Sequence, residues 1–299
     1  MRGARWSWAR LAAGLAALTA LCGWAAGARA LDIDPGDYVA LPGGTDLALG
    51  YARFAHADQL SLKGSGRVPG SSLTSMLGIA AYVHYADVGG FVVNPRLFIP
   101  YGRYQDGRAG GTKLAGAEGF GDPFGAVTVW LVNRPEENRY FGLSTYVFAP
   151  LGAYEAGKSL NLGENRWKGV IQAGLVHGLG GGLTAELVAD LTLYGDSTGA
   201  GNGAQTLSQR PSVQVQPWLR YNFTPGSALS LGYSGSFGGA QRLDGATNGF
   251  TAEAHAAKLD YRRFVTDTLQ LAATLSRDVA VSGGFREVAR LNLRVMKMF

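Results

Sequence analysis

From Leu183 to Tyr194 the chain alternates with a period of two. Leu183, Ala185, Leu187, Ala189, Leu191 and Leu193 are aliphatic, and Thr184, Glu186, Val188, Asp190, Thr192 and Tyr194 stand between them. Successive side chains of a strand point to opposite faces, so this segment has one apolar face and one mostly polar face that carries both carboxylates. The beat returns at the C-terminus, where Ala289, Leu291, Leu293, Val295 and Phe299 oppose Arg286, Arg290, Asn292 and Arg294. An apolar face repeated strand after strand, with charge on the other side, suits a barrel greased outside and wetted inside.

The first residues belong to a different kind of segment. Arg2, Arg5 and Arg10 precede an apolar core from Leu11 to Gly23, and Ala28-Arg29-Ala30 forms an A-x-A cleavage signal. Residues 1–30 therefore read as a cleaved secretory signal peptide, and 31–299 as one outer-membrane barrel domain. An uncleaved anchor is the alternative, but the core is shorter than the ~20 residues a spanning helix needs. Cys22 raises a lipoprotein site, against which Leu21 is too large a neighbour. Cleavage after Ala30 leaves no cysteine and so no disulfide framework. It also removes four arginines, and the net charge falls from +5 to +1. The basic balance thus belongs to the leader, and a nucleic-acid partner loses its support. The uncharged stretch Val68 to Ala86 is interrupted by Pro69, Gly70, Ser71 and Ser72 and is too short to span as a helix, which excludes a helical bundle.

Twelve strands are predicted, near 45–55, 74–86, 90–102, 121–132, 140–151, 167–178, 183–194, 206–222, 228–238, 251–264, 268–279 and 285–299. Leu31 to Gly44, rich in Asp, Pro and Gly, reads as an extended periplasmic lead-in. Tight turns alternate with longer glycine-rich loops, the outer-membrane habit of short turns on one side and long loops on the other. Tyr85, Trp130, Tyr140, Trp167, Tyr221, Phe223 and Tyr261 fall at strand ends, where interfacial girdles would place them. Pro211 and Pro217 share the outward register of one strand and predict that it is locally bulged or irregular, because proline removes a ladder donor. The fold class is an all-β, transmembrane, antiparallel up-and-down barrel of about twelve strands in the Gram-negative outer membrane. A soluble β-sandwich with aromatic core residues is the alternative.

No catalytic constellation emerges. None of His56, His84, His177 or His255 is followed by a serine two residues on, and the scattered histidines give no metal spacing. The glycine runs open no phosphate loop. No cofactor, metal or catalytic residue is expected. The candidate lumen residues are Phe98, Glu186, Asp190, Arg210, Trp218, Arg220, Arg286, Arg290 and Arg294. Arginines four apart along the last strand make a positive stripe that could steer anionic solutes, such as the carboxylates of aromatic acids. The same arginines could instead pair with Glu186, Asp190 and Asp278 and fill the interior; the near balance of signs favours that second reading. A barrel of twelve strands lies between a filled interior and an open channel, which points to a narrow, partly occluded pore.

Several segments together resemble one family. Pro95 with Ile99-Pro100-Tyr101-Gly102, Gly119-Phe120-Gly121-Asp122-Pro123, Phe148-Ala149-Pro150-Leu151-Gly152-Ala153-Tyr154 and Leu193-Tyr194-Gly195-Asp196 resemble the outer-membrane family labelled "putative MetA-pathway of phenol degradation". The resemblance covers most of the chain and implies a transporter-like barrel linked to catabolism of aromatic compounds; it carries over no functional residues. The C-terminal strand also resembles the signal read by the barrel-assembly machinery, with Phe299, Val295, Leu293 and Leu291 matching and Lys297 departing from it. The expected partners are outer-membrane lipid and lipopolysaccharide, the assembly machinery through Phe299, and a small-molecule solute. The expected function is a channel or transporter for small, aromatic or hydrophobic solutes, the solute class coming only from the resemblance. The alternatives are a closed structural or adhesive barrel acting through its long loops, and a lipid-modifying outer-membrane enzyme.

Overall fold

Each period-two segment pairs with the one before it, and the last pairs with the first. A computed structural model describes residues 32–299 and, ahead of them, Trp24–Ala25; the rest of the expected leader, its cleavage site and Cys22 lie outside the described residues. The barrel strands are β1 (Asp46–Leu62), β2 (Ser72–His84), β3 (Phe91–Ala109), β4 (Phe124–Arg134), β5 (Arg139–Phe148) and β6 (Lys168–Gly180). They continue as β7 (Leu183–Tyr194), β8 (Ser212–Thr224), β9 (Ser227–Gly238), β10 (Glu253–Thr266), β11 (Leu269–Ser282) and β12 (Gly284–Met298). All neighbours are antiparallel, and β12 closes on β1 from Leu47↔Met298 to Ser61↔Gly284. The expected twelve-stranded up-and-down barrel is the observed one.

Alternation sets the two faces. Leu187, Leu191, Leu219, Leu231, Leu271, Leu275, Leu293 and Val295 are exposed on the outside, where lipid covers them. Of the aromatics expected in girdles, Trp167, Tyr221, Phe223 and Tyr261 are exposed, but Tyr85, Trp130 and Tyr140 are buried inside. Trp130 and Tyr140 hold inward positions on β4 and β5, Tyr85 follows the end of β2, and all three pack against residues that precede β1.

Long loops cover one end. β1 and β3 run beyond their expected limits, and Leu60, Leu62, Ala109, Leu114, Leu160, Phe250 and Phe285 bury one another over that mouth. The predicted strand 206–222 divides. Gln205–Gln209 joins a four-stranded sheet in the loops, and β8 starts at Ser212, after Pro211. The irregularity expected at Pro217 is present as a lapse in pairing rather than as a bulge. Pairing with β9 lapses after Val215↔Gly235 and resumes at Trp218↔Gly232 in the same register, so the proline costs contacts but shifts nothing. Asp122 ties the loops together by accepting the Gly152 N–H at 2.9 Å and the Glu164 N–H at 2.7 Å. A Cβ at Gly152 would lie 2.6 Å from the Gly121 carbonyl carbon, so this crossing of loops requires glycine.

Candidate functional site

The segment expected to lead in from the periplasm lies inside the barrel instead. Residues 32–41 enter from the end with the short turns, which is the periplasmic end in barrels of this kind. The reason is charge. Asp32, at the deep end, is 2.6 Å from Lys258 Nζ and 3.4 Å from Arg290 Nη1. Asp34 and Asp37 both pair with Arg294 Nη1, at 3.2 and 2.9 Å. The Gly36 N–H donates to Glu186 at 2.7 Å, and Arg262 donates to the Pro35 carbonyl. A buried cation without a counter-charge is costly, so these carboxylates offset what the lumen arginines would otherwise lose.

Tyr38 fixes the plug sideways. Its ring lies against Gly142 and Gly174, which are cross-strand partners on β5 and β6. Its hydroxyl shares a 2.8 Å hydrogen bond with Ser144 and donates to Gln172 at 2.8 Å, while Trp130 Nε1 donates to its carbonyl at 2.9 Å. Burial pushes the Tyr38 hydroxyl well above the usual phenol range, so it remains a donor. Burial would also raise Asp32, but Lys258 and Arg290 overcome it and hold that carboxyl well below the usual range.

Beside the plug runs a cavity of about 480 Å³. It reaches from Leu47, Met298 and Gly226 at the short-turn end to Phe148 and Lys168 near the loops. One wall is apolar: Phe98, Phe124 and Phe148 on three successive strands stack with centroids 4.4 Å apart at each step, and Ile79, Leu49 and Val170 pack against them. Lys168 Nζ sits 4.2 Å above the Phe148 ring and pairs with Glu164. Burial works against the Glu164 charge, yet Lys168 and Arg166 hold its carboxyl at about 2.

The barrel wall is incomplete at one place. β11 and β12 pair only from Leu269↔Lys297 to Ser276↔Arg290. Above that point β11 stays with β10 and β12 stays with β1, and the Asp278 carboxylate bridges the space by accepting the Glu287 N–H at 2.7 Å. An outer-face groove of about 680 Å³ opens there, bordered by Leu231, Leu259, Leu275 and Leu291 outside and by Ser276, Lys258 and Arg290 of the inner face.

The sequence-derived residues separate into groups. Phe98, Glu186, Asp190, Trp218, Arg290 and Arg294 are buried in the lumen, and Arg220 joins them through a 2.6 Å bond to Glu186. Asp190 accepts from Gln172 at 3.4 Å, and Lys258 lies 5.5 Å from the Trp218 ring. Two arginines differ from expectation. Arg210 is exposed in the loop before β8, because the strand begins only after Pro211. Arg286 pairs on the exposed side with Asp58 at 3.1 Å, because bulges at His56–Gln59 hand the inward positions to Phe285 and Glu287. The stripe is therefore two arginines, both engaged by the plug. The reading missed the plug itself, Phe124 and Phe148; the shared inward parity of Phe124 with Ala126 and Thr128 is the signal that could have found one of them.

Comparisons with known proteins agree with this geometry. The family model "Putative MetA-pathway of phenol degradation" matches residues 57–295. The crystal structure of the COG4313 outer-membrane channel from Pseudomonas putida F1 is similar at 32% identity and TM-score 0.83, covering 90% of this chain and 100% of that one. The Pseudomonas putida toluene transporter TodX is similar in fold alone, at 9% identity and TM-score 0.50 over 94% of this chain and 96% of that one. A comparison with curated protein sequences finds no match.

Proposed function

Because the chain belongs to the family described as "Putative MetA-pathway of phenol degradation" and folds as an outer-membrane channel, we propose that it admits small hydrophobic, in particular aromatic, solutes across the Gram-negative outer membrane. The observation that carries this reading is the Phe98–Phe124–Phe148 wall inside a lumen whose loop end is covered and whose other end holds a plug. A water-filled pore would have no use for three stacked rings, whereas an apolar guest gains by leaving water against them. The toluene solute named for TodX is consistent with such a guest. In this proposal the solute enters from the outer leaflet at the groove between β11 and β12, which avoids the covered mouth. The lipid and lipopolysaccharide around the wall, and assembly through Phe299, are part of the same proposal.

Uptake of radiolabelled toluene by whole cells tests it. Cells bearing the protein should accumulate toluene faster than cells without it. Phe98→Ala with Phe124→Ala should remove most of the gain while the protein still runs as a folded, heat-modifiable barrel. Equal uptake with and without the protein would contradict the reading. Lipid modification by the purified protein, lost in His84→Ala, would favour an enzyme instead.

A further inference from the structure

Seven cations line the cavity, and six are neutralised. Arg53, Lys168, Arg220, Arg262, Arg290 and Arg294 each have a carboxylate 2.6–3.2 Å away. Arg96 does not: among the described residues no carboxylate lies within ion-pair distance of it. Its hydrogen bonds go to two hydroxyls, Thr128 and, at 3.4 Å, Ser144, and its Nε has no partner. The guanidinium lies 5.2 Å from the Tyr146 ring centroid, which supports a cation weakly but does not cancel its charge. Arg96 also lines the cavity, and a guanidinium that faces it without a counter-charge has a natural complement in a carboxylate.

The position of Arg96 narrows what that complement is. Arg96 and Phe98 share the inward face of β3, opposite Ala126 and Phe124. Residues two apart on a strand stand about 6.8 Å apart on one face, so a phenyl ring seated by Phe98 with a carboxylate on a short arm has the Arg96 side chain as its neighbour. Placing such a ring against Phe98 and Phe124 brings its acid group to Arg96.

Resting on the reading that this cavity is the solute's path, we propose that it selects aromatic monocarboxylates, with Arg96 as the anion-recognition residue and the three phenylalanines as the ring seat. The other lumen arginines are excluded from this task because carboxylates already occupy them: Glu287, Glu186 and Asp260 hold Arg53, Arg220 and Arg262, and the plug aspartates hold Arg290 and Arg294.

Binding of phenylacetate and of its neutral analogue phenylacetamide to the refolded, leader-free protein, measured by calorimetry with toluene as a third ligand, tests this. Wild type should bind phenylacetate about 10–100-fold more tightly than phenylacetamide, the factor that a hydrogen bond to a charged group contributes. Arg96→Gln should abolish the difference while leaving phenylacetamide and toluene binding in place. Arg96→Lys, which keeps the charge and loses the fork, should retain part of it and serves if the glutamine variant does not refold. Equal affinities in wild type, or an undiminished preference in both variants, would overturn the proposal while sparing the hydrophobic-solute reading. Failure of all three ligands to bind would overturn both.

Discussion

At the scale of single residues, Asp34 makes the docking of the plug sensitive to pH. Burial outweighs the Arg294 guanidinium, and with Asp37 alongside it pushes the Asp34 carboxyl up to about 6 from its ordinary 3.8. The docked plug therefore holds that proton more tightly than an undocked one, so docking strengthens as pH falls from about 6 toward 4. Asp32 behaves oppositely: its carboxyl is held low, so its contribution is present above its ordinary 3.8 and is lost as pH falls below it. Leak current through the barrel should pass through a minimum at about pH 4–5. Asp34→Asn, which fixes the uncharged form, should give a lower current already at neutral pH and reduce its dependence between about pH 7 and 5. A current that rises steadily on acidification from neutrality would contradict this. None of this was legible in the sequence, where Asp32, Asp34 and Asp37 carry the composition of a turn. Their partners are distant: Asp32 meets Lys258 226 residues further on.

The plug is the element on which the closed lumen depends, and its docking is unusually testable. A Cβ at Gly174 would lie 2.2 Å from Tyr38 Cγ, closer than any packing permits. Gly174→Ala should therefore weaken docking by about 1–3 kcal/mol, the usual cost of overpacking, and raise the frequency of open-channel events. Tyr38→Ala should open the lumen as well, and the two changes together should do no more than Tyr38→Ala alone, because they remove one contact. Additive effects on channel opening would show that Gly174 acts elsewhere. The strands themselves were legible because a two-residue period survives whatever surrounds it. Three features were not. The split before β8 depends on Pro211 and the recruitment of Gln205–Gln209 by other loops. The outward turn of Arg286 depends on bulges set by the pairing partner, β1. Tyr85, Trp130 and Tyr140 face inward because the plug supplies them with an apolar partner, which strand-end position alone does not reveal.

The whole molecule is a barrel of intermediate girth with a covered mouth, a plug held by buried ion pairs, an aromatic cavity beside it and a wall unpaired between the upper parts of β11 and β12. Compartment and architecture follow from alternation, since a wall with lipid on one side and polar groups on the other admits few other solutions. The solute does not follow from alternation, because the residues proposed to read it, Phe98, Phe124, Phe148 and Arg96, are brought together by two strand pairings. Single-channel recording of the refolded, leader-free protein in planar bilayers, with and without phenol, bears most directly on that division. The account predicts small currents that phenol reduces in a concentration-dependent way, with the reduction lost in Phe98→Ala/Phe124→Ala. Large, steady, porin-like currents indifferent to phenol would contradict it.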